Sequence, residues 1–408
     1  MKSTILAAIA VVIIAIVAGG AILATGALSA HTTTVTNSQP GTTVTTVSTV
    51  TTASTTSITT SQPTTVTSVS TVTTTASTNS STTSMSSSSS NSTNSINLVR
   101  IGYFANLNHA PAIIGLSDGD FQSYLGPTTI KTYLFTAGPT EMTALLAGQL
   151  DMAYVGPSPA VNSFIQSNGT ALRIVAGVSD GGAVFVVRNN DGITSVANFT
   201  GKTFAAPQLG NTQDIALRSF LLRNHYVVGT NVSVVDTSNS NILTLMTQDK
   251  LDGAWVPEPT ASQLIFQANC HVFLDERSLW TGGNFSTAEL VVSASFLNAH
   301  PDVVKKVIEA DVNDTLWIDQ NQAKAATLID TRIASLTSTT PTNSTIFNNA
   351  TQYLTFTYDP LEASVTQQAQ NAYELGFLGN TAPNLNGLFD LTLLNEVLQQ
   401  MGLPQVTN

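Results

Sequence analysis

Charge is the first thing in short supply. Among residues 1–99 a single side chain, Lys2, is formally charged. Cysteine is scarcer still, with Cys270 alone in the whole chain. One cysteine rules out an internal disulfide framework, so stability has to come from a core. It also rules out a lipid anchor through a cysteine near the N-terminus. Cys270, in the run QANCHVF, reads as a buried strand residue. Basic residues are few, 14 Lys and Arg against 25 Asp and Glu, and they form no run, which argues against a nucleic-acid partner. The net charge of −11 falls on the part of the chain after residue 99 and speaks for solubility. The histidines His109, His225, His271 and His300 are scattered without a metal-ligand spacing. There is no Gly-rich phosphate loop and no defensible Ser, His, Asp order. Neither enzymatic activity nor a cofactor nor a metal is expected.

What is present begins with an apolar run. Residues 5–28 read ILAAIAVVIIAIVAGGAILATGAL. At about 1.5 Å per residue, a helix of that length crosses a hydrocarbon core of about 30 Å. Lys2 on its N-terminal side predicts a cytoplasmic short end and an extracellular remainder. A cleaved signal peptide competes, since Ala27-Leu28-Ser29-Ala30 offers a peptidase site. The run is longer than the roughly 7–15 residues of a signal core, however. Residues 1–30 are therefore expected to be a membrane anchor or uncleaved signal, making a single-pass protein of the cell membrane.

Residues 31–95 are almost entirely Thr, Ser and Val, and VTTVSTVTTAS recurs as VTSVSTVTTTAS. Such a segment lacks the apolar mass to offset the entropy of ordering, so it is expected to be a disordered stalk. Its composition is that of an O-glycosylated stalk or, without sugar, a plain linker. Asn-x-Ser/Thr sequons stand at Asn79, Asn91, Asn168, Asn198, Asn231, Asn284, Asn313, Asn343 and Asn349, as a set consistent with an exported glycoprotein.

Residues 96–408 are long enough for two ordinary domains. Strand-like runs are predicted at 97–104, 130–135, 150–155, 171–178, 182–188, 202–207, 232–237 and 251–256, with one more at 289–293. A helix ending in a loop is predicted over 112–126 and helices over 140–149, 214–224 and 241–248, and mostly helical patterns follow from Pro301. Repeated βαβ units imply mostly parallel sheets covered by helices. One phrase occurs twice: TALLAGQLDMAYVGPSPA in the first half and TLMTQDKLDGAWVPEPT in the second. In each, an amphipathic helix runs into a Leu-Asp-x-Ala strand and then a proline-flanked turn. Two such phrases suggest two similar lobes, each presenting strand C-termini at a cleft, where open α/β sheets bind ligands.

A set of short motifs occurs in a fixed order. It opens with Arg100-Ile101-Gly102-Tyr103-Phe104, Ala110-Pro111 and Gly119-Asp120-Phe121. It continues with Gly138-Pro139-Thr140-Glu141, Leu146-Ala147-Gly148-Gln149-Leu150-Asp151 and Gly156-Pro157-Ser158-Pro159. In the second half come Gly201-Lys202-Thr203, Leu209-Gly210-Asn211-Thr212, Trp255-Val256-Pro257-Glu258-Pro259, and Ser295-Phe296-Leu297 with His300-Pro301. Over roughly residues 98–330 the chain resembles the periplasmic binding proteins of ABC importers, in the branch for nitrate, taurine, alkanesulfonates and thiamine precursors. The resemblance implies an α/β, two-lobed clamshell at 96–408. Lobe 1 would be about 96–179 plus 287–408 and lobe 2 about 183–280, with crossovers near 179–182 and 280–287. It implies a small solute closed between the lobes, delivery to ABC permease subunits in the membrane, and a monomer. Enzymes on the same fold use a cysteine-rich motif or an early nucleophilic cysteine, and this chain has neither. A tethered receptor with a Ser/Thr stalk and no lipid-anchor cysteine looks archaeal. The alternative is a surface-exposed structural or sensory glycoprotein that keeps the fold without transport.

An anionic or zwitterionic solute needs oriented donors, and helix N-termini supply them. Gly156, Pro157 and Ser158 form one candidate strand-to-helix junction, and Gly210, Asn211 and Thr212 the other. Ordinary N-capping accounts for the same residue types. Phe104, Asn106 and Asn108 follow the first strand, where the resemblance implies a polar contact; Gly182 and Ala183 lie at the expected hinge. Trp255 could stack on a ligand or pack the core. Glu258 could accept from an amine, which suits a taurine-like zwitterion or a pyrimidine better than nitrate, or make a structural hydrogen bond. Arg100, Arg188 and Lys202 lie in strand contexts and are expected to face solvent rather than ligand.

Overall fold

The chain's architecture, taken from a computed structural model, is described for residues 96–407. The anchor expected at 1–30 and the stalk expected at 31–95 lie outside the described residues. Among the described residues no helix is long and apolar enough to cross a membrane.

The first stretch runs β1 (Leu98–Phe104), α1 (Ala110–Asp118), α2 (Asp120–Leu125), β2 (Thr129–Phe135), α3 (Gly138–Leu146), β3 (Met152–Val155), α4 (Pro157–Gln166) and β4 (Leu172–Gly181). The middle runs β5 (Ala183–Arg188), β6 (Thr203–Ala206), α5 (Thr212–Arg223), β7 (Ser233–Asp236), α6 (Asn239–Thr247), β8 (Gly253–Pro257), α7 (Thr260–Gln267) and β9 (Cys270–Asp275). The chain then returns through β10 (Ser286–Ser293), α8 (Ala294–Ala299), α9 (Pro301–Gln320), α10 (Gln322–Thr337) and α11 (Ser344–Ala350). It finishes with β11 (Leu354–Phe356), α12 (Glu362–Glu374) and α13 (Thr392–Met401).

Two sheets result, ordered β11-β4-β10-β3-β1-β2 and β7-β6-β8-β5-β9. We refer to the parts built on them as lobe 1 and lobe 2. Only β1, β2 and β3 in the first sheet and β6, β7 and β8 in the second run parallel; β4, β10 and β11, and β5 and β9, pair antiparallel. This corrects the expectation of mostly parallel sheets. The cause is connectivity. β10 comes back from the other sheet and inserts antiparallel between β3 and β4, and β5 is entered straight from β4, so neither β10 nor β5 is introduced by the crossover helix that parallel pairing requires.

Local sequence explains the elements. All four residues of β3, Met-Ala-Tyr-Val, are buried, as in a strand covered on both faces. The edge strand β2 instead alternates and carries Lys131 and an exposed Leu134, a charged edge that discourages further pairing. The helix expected over 112–126 is two helices. Gly119, at φ +89°, ends α1 in the left-handed conformation and starts α2 in a new direction. β11 is a second departure, a three-residue edge strand within the stretch expected to be helical.

The cores differ. Lobe 1 is mainly aliphatic, with Val99, Ile101, Ile113, Leu290, Val307 and Ile308 among its fully buried side chains. Lobe 2 is built on rings: Phe185 stacks on Trp255 at 5.2 Å and meets Phe204 edge-on at 5.1 Å. Two passages join the lobes. The first is Gly182, between β4 and β5. It holds φ +78°, and a Cβ there would come within 2.5 Å of Asn108 Nδ2, so only glycine fits. The second spans 276–285, where Trp280 stacks on Phe285 at 4.8 Å.

Candidate functional site

The ends of β1, β3, β6 and β8 and the first turns of α4, α5 and α6 converge on one cavity between the sheets. The space there not filled by atoms, counting open solvent at its edge, is about 340 Å³. Lobe 1 contributes Phe104, Asn106, Asn108, His109, Thr136, Gly156 and Thr287; lobe 2 contributes Pro207, Asn211, Thr212, Gln213, Asn239 and Pro257.

Six of the residues singled out in the sequence therefore share the cavity wall: Phe104, Asn106, Asn108, Gly156, Asn211 and Thr212. Pro157 and Ser158 are buried in the first turn of α4 just behind Gly156. The Ser158 N–H donates to Thr212 Oγ1 at 3.4 Å, across the lobes. Gly210 serves its own loop, its N–H donating to Asp214 at 2.8 Å. Gly182 and Ala183 form the passage behind Asn108 and are not in the wall.

Two other candidates face away. Trp255 is fully buried in the ring cluster of lobe 2, and its Nε1 donates to Glu276 at 2.6 Å, so it packs the core and does not stack on a ligand. Glu258 is fully buried too. It accepts from the Ser262 N–H at 3.0 Å and the Ser262 hydroxyl at 3.1 Å. Burial pushes the Glu258 carboxyl up to about 7 against those donors. Its hydrogen bonds are structural, which answers the alternative left open for it. Cys270 opens β9 and is buried, with its Sγ donating to the Ala268 carbonyl at 3.3 Å.

The wall contains no lysine or arginine. The cations weighed earlier are spent on carboxylates: Arg100 on Asp151 at 2.5 Å, Arg188 on Asp191 at 2.5 Å and Lys202 on Asp252 at 3.2 Å. Burial holds the His109 imidazole down at about 3, so it is neutral. The Phe104 N–H donates to its Nδ1 at 3.4 Å, which leaves the ring proton on Nε2. The electrostatics are therefore those of backbone amides and side-chain amides. In α5 the first-turn N–H groups have no intrahelical acceptor and carry the positive end of the dipole. In α4 Pro157 and Pro159 have no N–H to give. Among the described residues no group of three or more His, Cys, Asp or Glu is arranged to hold a metal ion.

Two hydrogen bonds, one buried and one exposed, cross between the lobes. The Leu107 N–H donates to the Glu258 carbonyl at 3.0 Å, and Thr140 Oγ1 to Gln208 Oε1 at 3.0 Å. Asn108 ties the wall to β4 and β10 next to the two passages, because its Nδ2 donates to the Gly181 carbonyl and to Thr287 Oγ1, each at 2.8 Å. Sequence reasoning did not place His109, Thr136, Pro207, Gln213, Asn239, Pro257 or Thr287 in the wall. Most of them sit at a strand end or helix start, and that position was the available signal.

Comparison with known proteins adds the following. Residues 94–331 match the NMT1-like family. A Brucella abortus protein, provisionally named a binding protein, is 26% identical over 219 residues. That alignment takes in 52% of this chain and 63% of the relative, so the chain spans under two thirds of the curated relatives it matches. Among solved structures, the alkanesulfonate-binding protein SsuA of Xanthomonas axonopodis pv. citri, bound to MOPS, is 18% identical with TM-score 0.59, over 71% of this chain and 97% of that one. The periplasmic nitrate-binding protein NrtA of Synechocystis PCC 6803 is 16% identical with TM-score 0.64, over 76% and 90%. At these identities the structural likeness establishes the fold, a mixed α/β periplasmic-binding-protein fold with two sheets.

Proposed function

Because that match spans more than half of the 408 residues, the chain belongs to the NMT1-like family, and we propose that it is a solute receptor that closes two lobes on a small molecule and delivers it to the permease of an ABC importer. The observation that carries the reading is the cavity itself. It is walled by both lobes, floored by helix N-termini and backed by two narrow passages that can act as a hinge. The solute classes that the relatives' names suggest, alkanesulfonates and nitrate, head the candidates, with taurine-like zwitterions and thiamine precursors beside them. Capture and release need no covalent step, so no enzymatic role is assigned. In this reading residues 5–28 tether a monomeric receptor to the cell membrane, and the Ser/Thr-rich segment 31–95 is an extracellular spacer; composition supports both.

The test is a thermal-shift series on the full chain with taurine, alkanesulfonates, nitrate, bicarbonate and thiamine precursors. A ligand that binds only the folded state raises the melting temperature with concentration. A saturable rise with one class supports the receptor; a folded sample silent to every class argues against it. The companion variant is Gly156→Val. A Cβ at Gly156 would collide with Thr212 Oγ1 of the opposite lobe. The expected result is an intact fold with at least about tenfold weaker binding, equivalent to about 1.4 kcal/mol.

A further inference from the structure

The walls of the cavity are chemically unlike each other. On the lobe 1 side the amide donors are depleted: Pro157 and Pro159 carry no N–H, and the Ser158 N–H is turned to Thr212. What lobe 1 offers instead is acceptors. Asn108 is 2% exposed, and its Oδ1 has no partner among the described residues. Its orientation is fixed, because Nδ2 is the atom that donates to the Gly181 carbonyl, and a carbonyl cannot donate in return. Asn106 Oδ1 is buried and unpartnered in the same wall, and on the lobe 2 side Asn239 Oδ1, at the start of α6, is buried and unpartnered too. Across from Asn106 and Asn108, the first turn of α5 in lobe 2 supplies free N–H groups at Thr212 and Gln213. No guanidinium or ammonium is there to balance a full negative charge.

We propose that the solute is recognised through its own N–H groups: an uncharged or zwitterionic molecule whose nitrogen end donates to Asn108 and its neighbouring side-chain amides, and whose oxygen end accepts from the first turn of α5. This rests on the solute-receptor reading and narrows it. A bare oxyanion fills only the α5 half of the site and leaves the buried Asn108 oxygen unsatisfied, which is the unfavourable arrangement for a buried acceptor. Because the acceptors are neutral amides and not carboxylates, the N–H group does not have to be charged.

The experiment uses pairs of probes that match in size and differ in N–H content: urea against nitrate, acetamide against acetate, and taurine against ethanesulfonate. Binding to the full chain is measured by calorimetry. The N–H member of at least one pair is expected to bind about tenfold or more tightly than its acceptor-only partner. Asn239→Ala, which leaves the passages untouched, should weaken that N–H member by about tenfold and move the acceptor-only member little. Asn108→Ala serves as a second variant, read only where circular dichroism shows a native fold. Equal or tighter binding of nitrate, acetate or ethanesulfonate overturns the inference while leaving the receptor reading intact. Failure of both classes to bind a folded chain overturns both.

Discussion

Lobe 1 and lobe 2 share a plan of strands and helices yet treat acidic side chains in opposite ways. In lobe 2, apart from Glu258 and Glu276, carboxylates are tied to cations. Arg218 bridges Asp214 at 2.5 Å and Asp236 at 2.9 Å, and Lys202 and Arg188 hold their own partners. In lobe 1, apart from Asp151, which Arg100 holds, the interior acids have no cation beside them. Glu141 has no partner for either oxygen among the described residues, Glu289 accepts only from the Ser286 hydroxyl, and Asp311 accepts from Tyr154 OH at 2.8 Å. Burial pushes Glu141 and Glu289 well above the ordinary carboxyl range, Asp311 up to about 7 and Asp314 up to about 9. Lobe 1 therefore buries most of its acids without a cation, whereas lobe 2 gives all but Glu258 and Glu276 a cationic partner, although burial pushes Asp214 up to about 7 even beside Arg218. A buried carboxyl can be accommodated with a paired cation or without one, and the two lobes favour different solutions.

The largest break in this comparison comes from the ring cluster that lobe 1 lacks. Trp255→Ala removes a fully buried ring stacked on Phe185 and strands Glu276 without its donor. A loss of about 3–5 kcal/mol is expected in denaturant titration. Next comes Arg218→Ala, which leaves Asp214, fully buried, without its cation. About 3 kcal/mol should be lost at neutral pH, whereas Asp311→Asn in lobe 1, which mimics the protonated acid, should cost under about 1 kcal/mol. Similar losses from the two changes would erase the distinction between the lobes.

The pH response sharpens it further. A carboxyl whose folded pKa is raised contributes stability that is complete below its unfolded value near 4 and disappears as pH climbs through the folded one. For Asp311 and Asp314 that decline runs from about pH 4 to about pH 9. The melting temperature of the full chain should fall over that window. Asp314→Asn should flatten the upper part of the fall; an unchanged slope in that variant would falsify the assignment. The smallest effect belongs to the surface. Lys305→Ala breaks an exposed pair with Glu396 and should shift stability by no more than about 0.5 kcal/mol, an effect that added salt removes.

Much of this was legible in the sequence, for physical reasons that can be named. The repeated helix–strand phrase located β3 and β8, because a covered strand reads as an apolar run and the preceding helix keeps its spacing. Strand direction was not legible, since the same apolar run fits a parallel or an antiparallel neighbour. In the site, Gly156, Asn211 and Thr212 stood out as residues that start helices. Trp255 misled because it lies two residues short of the strand end at Pro257, and alternation along a strand does not say which layer the cavity occupies. Asn239 was overlooked because it opens a helix like any other polar N-terminal residue. The sequons at Asn198, Asn231 and Asn343 show a related ambiguity. Each of these side chains accepts a local backbone N–H, a turn-forming role for the residue type that a sugar would also require.

The passage at 276–285 gives the molecule a built-in optical gauge. Its three tryptophans are divided among its mechanical parts: Trp317 on α9 of lobe 1, Trp255 deep in lobe 2, and Trp280 half-buried on the passage between them. In the proposed receptor, motion of one lobe against the other would change the surroundings of Trp280. With Trp255 and Trp317 replaced by phenylalanine, the remaining emission would follow opening and closing in real time, with no label attached.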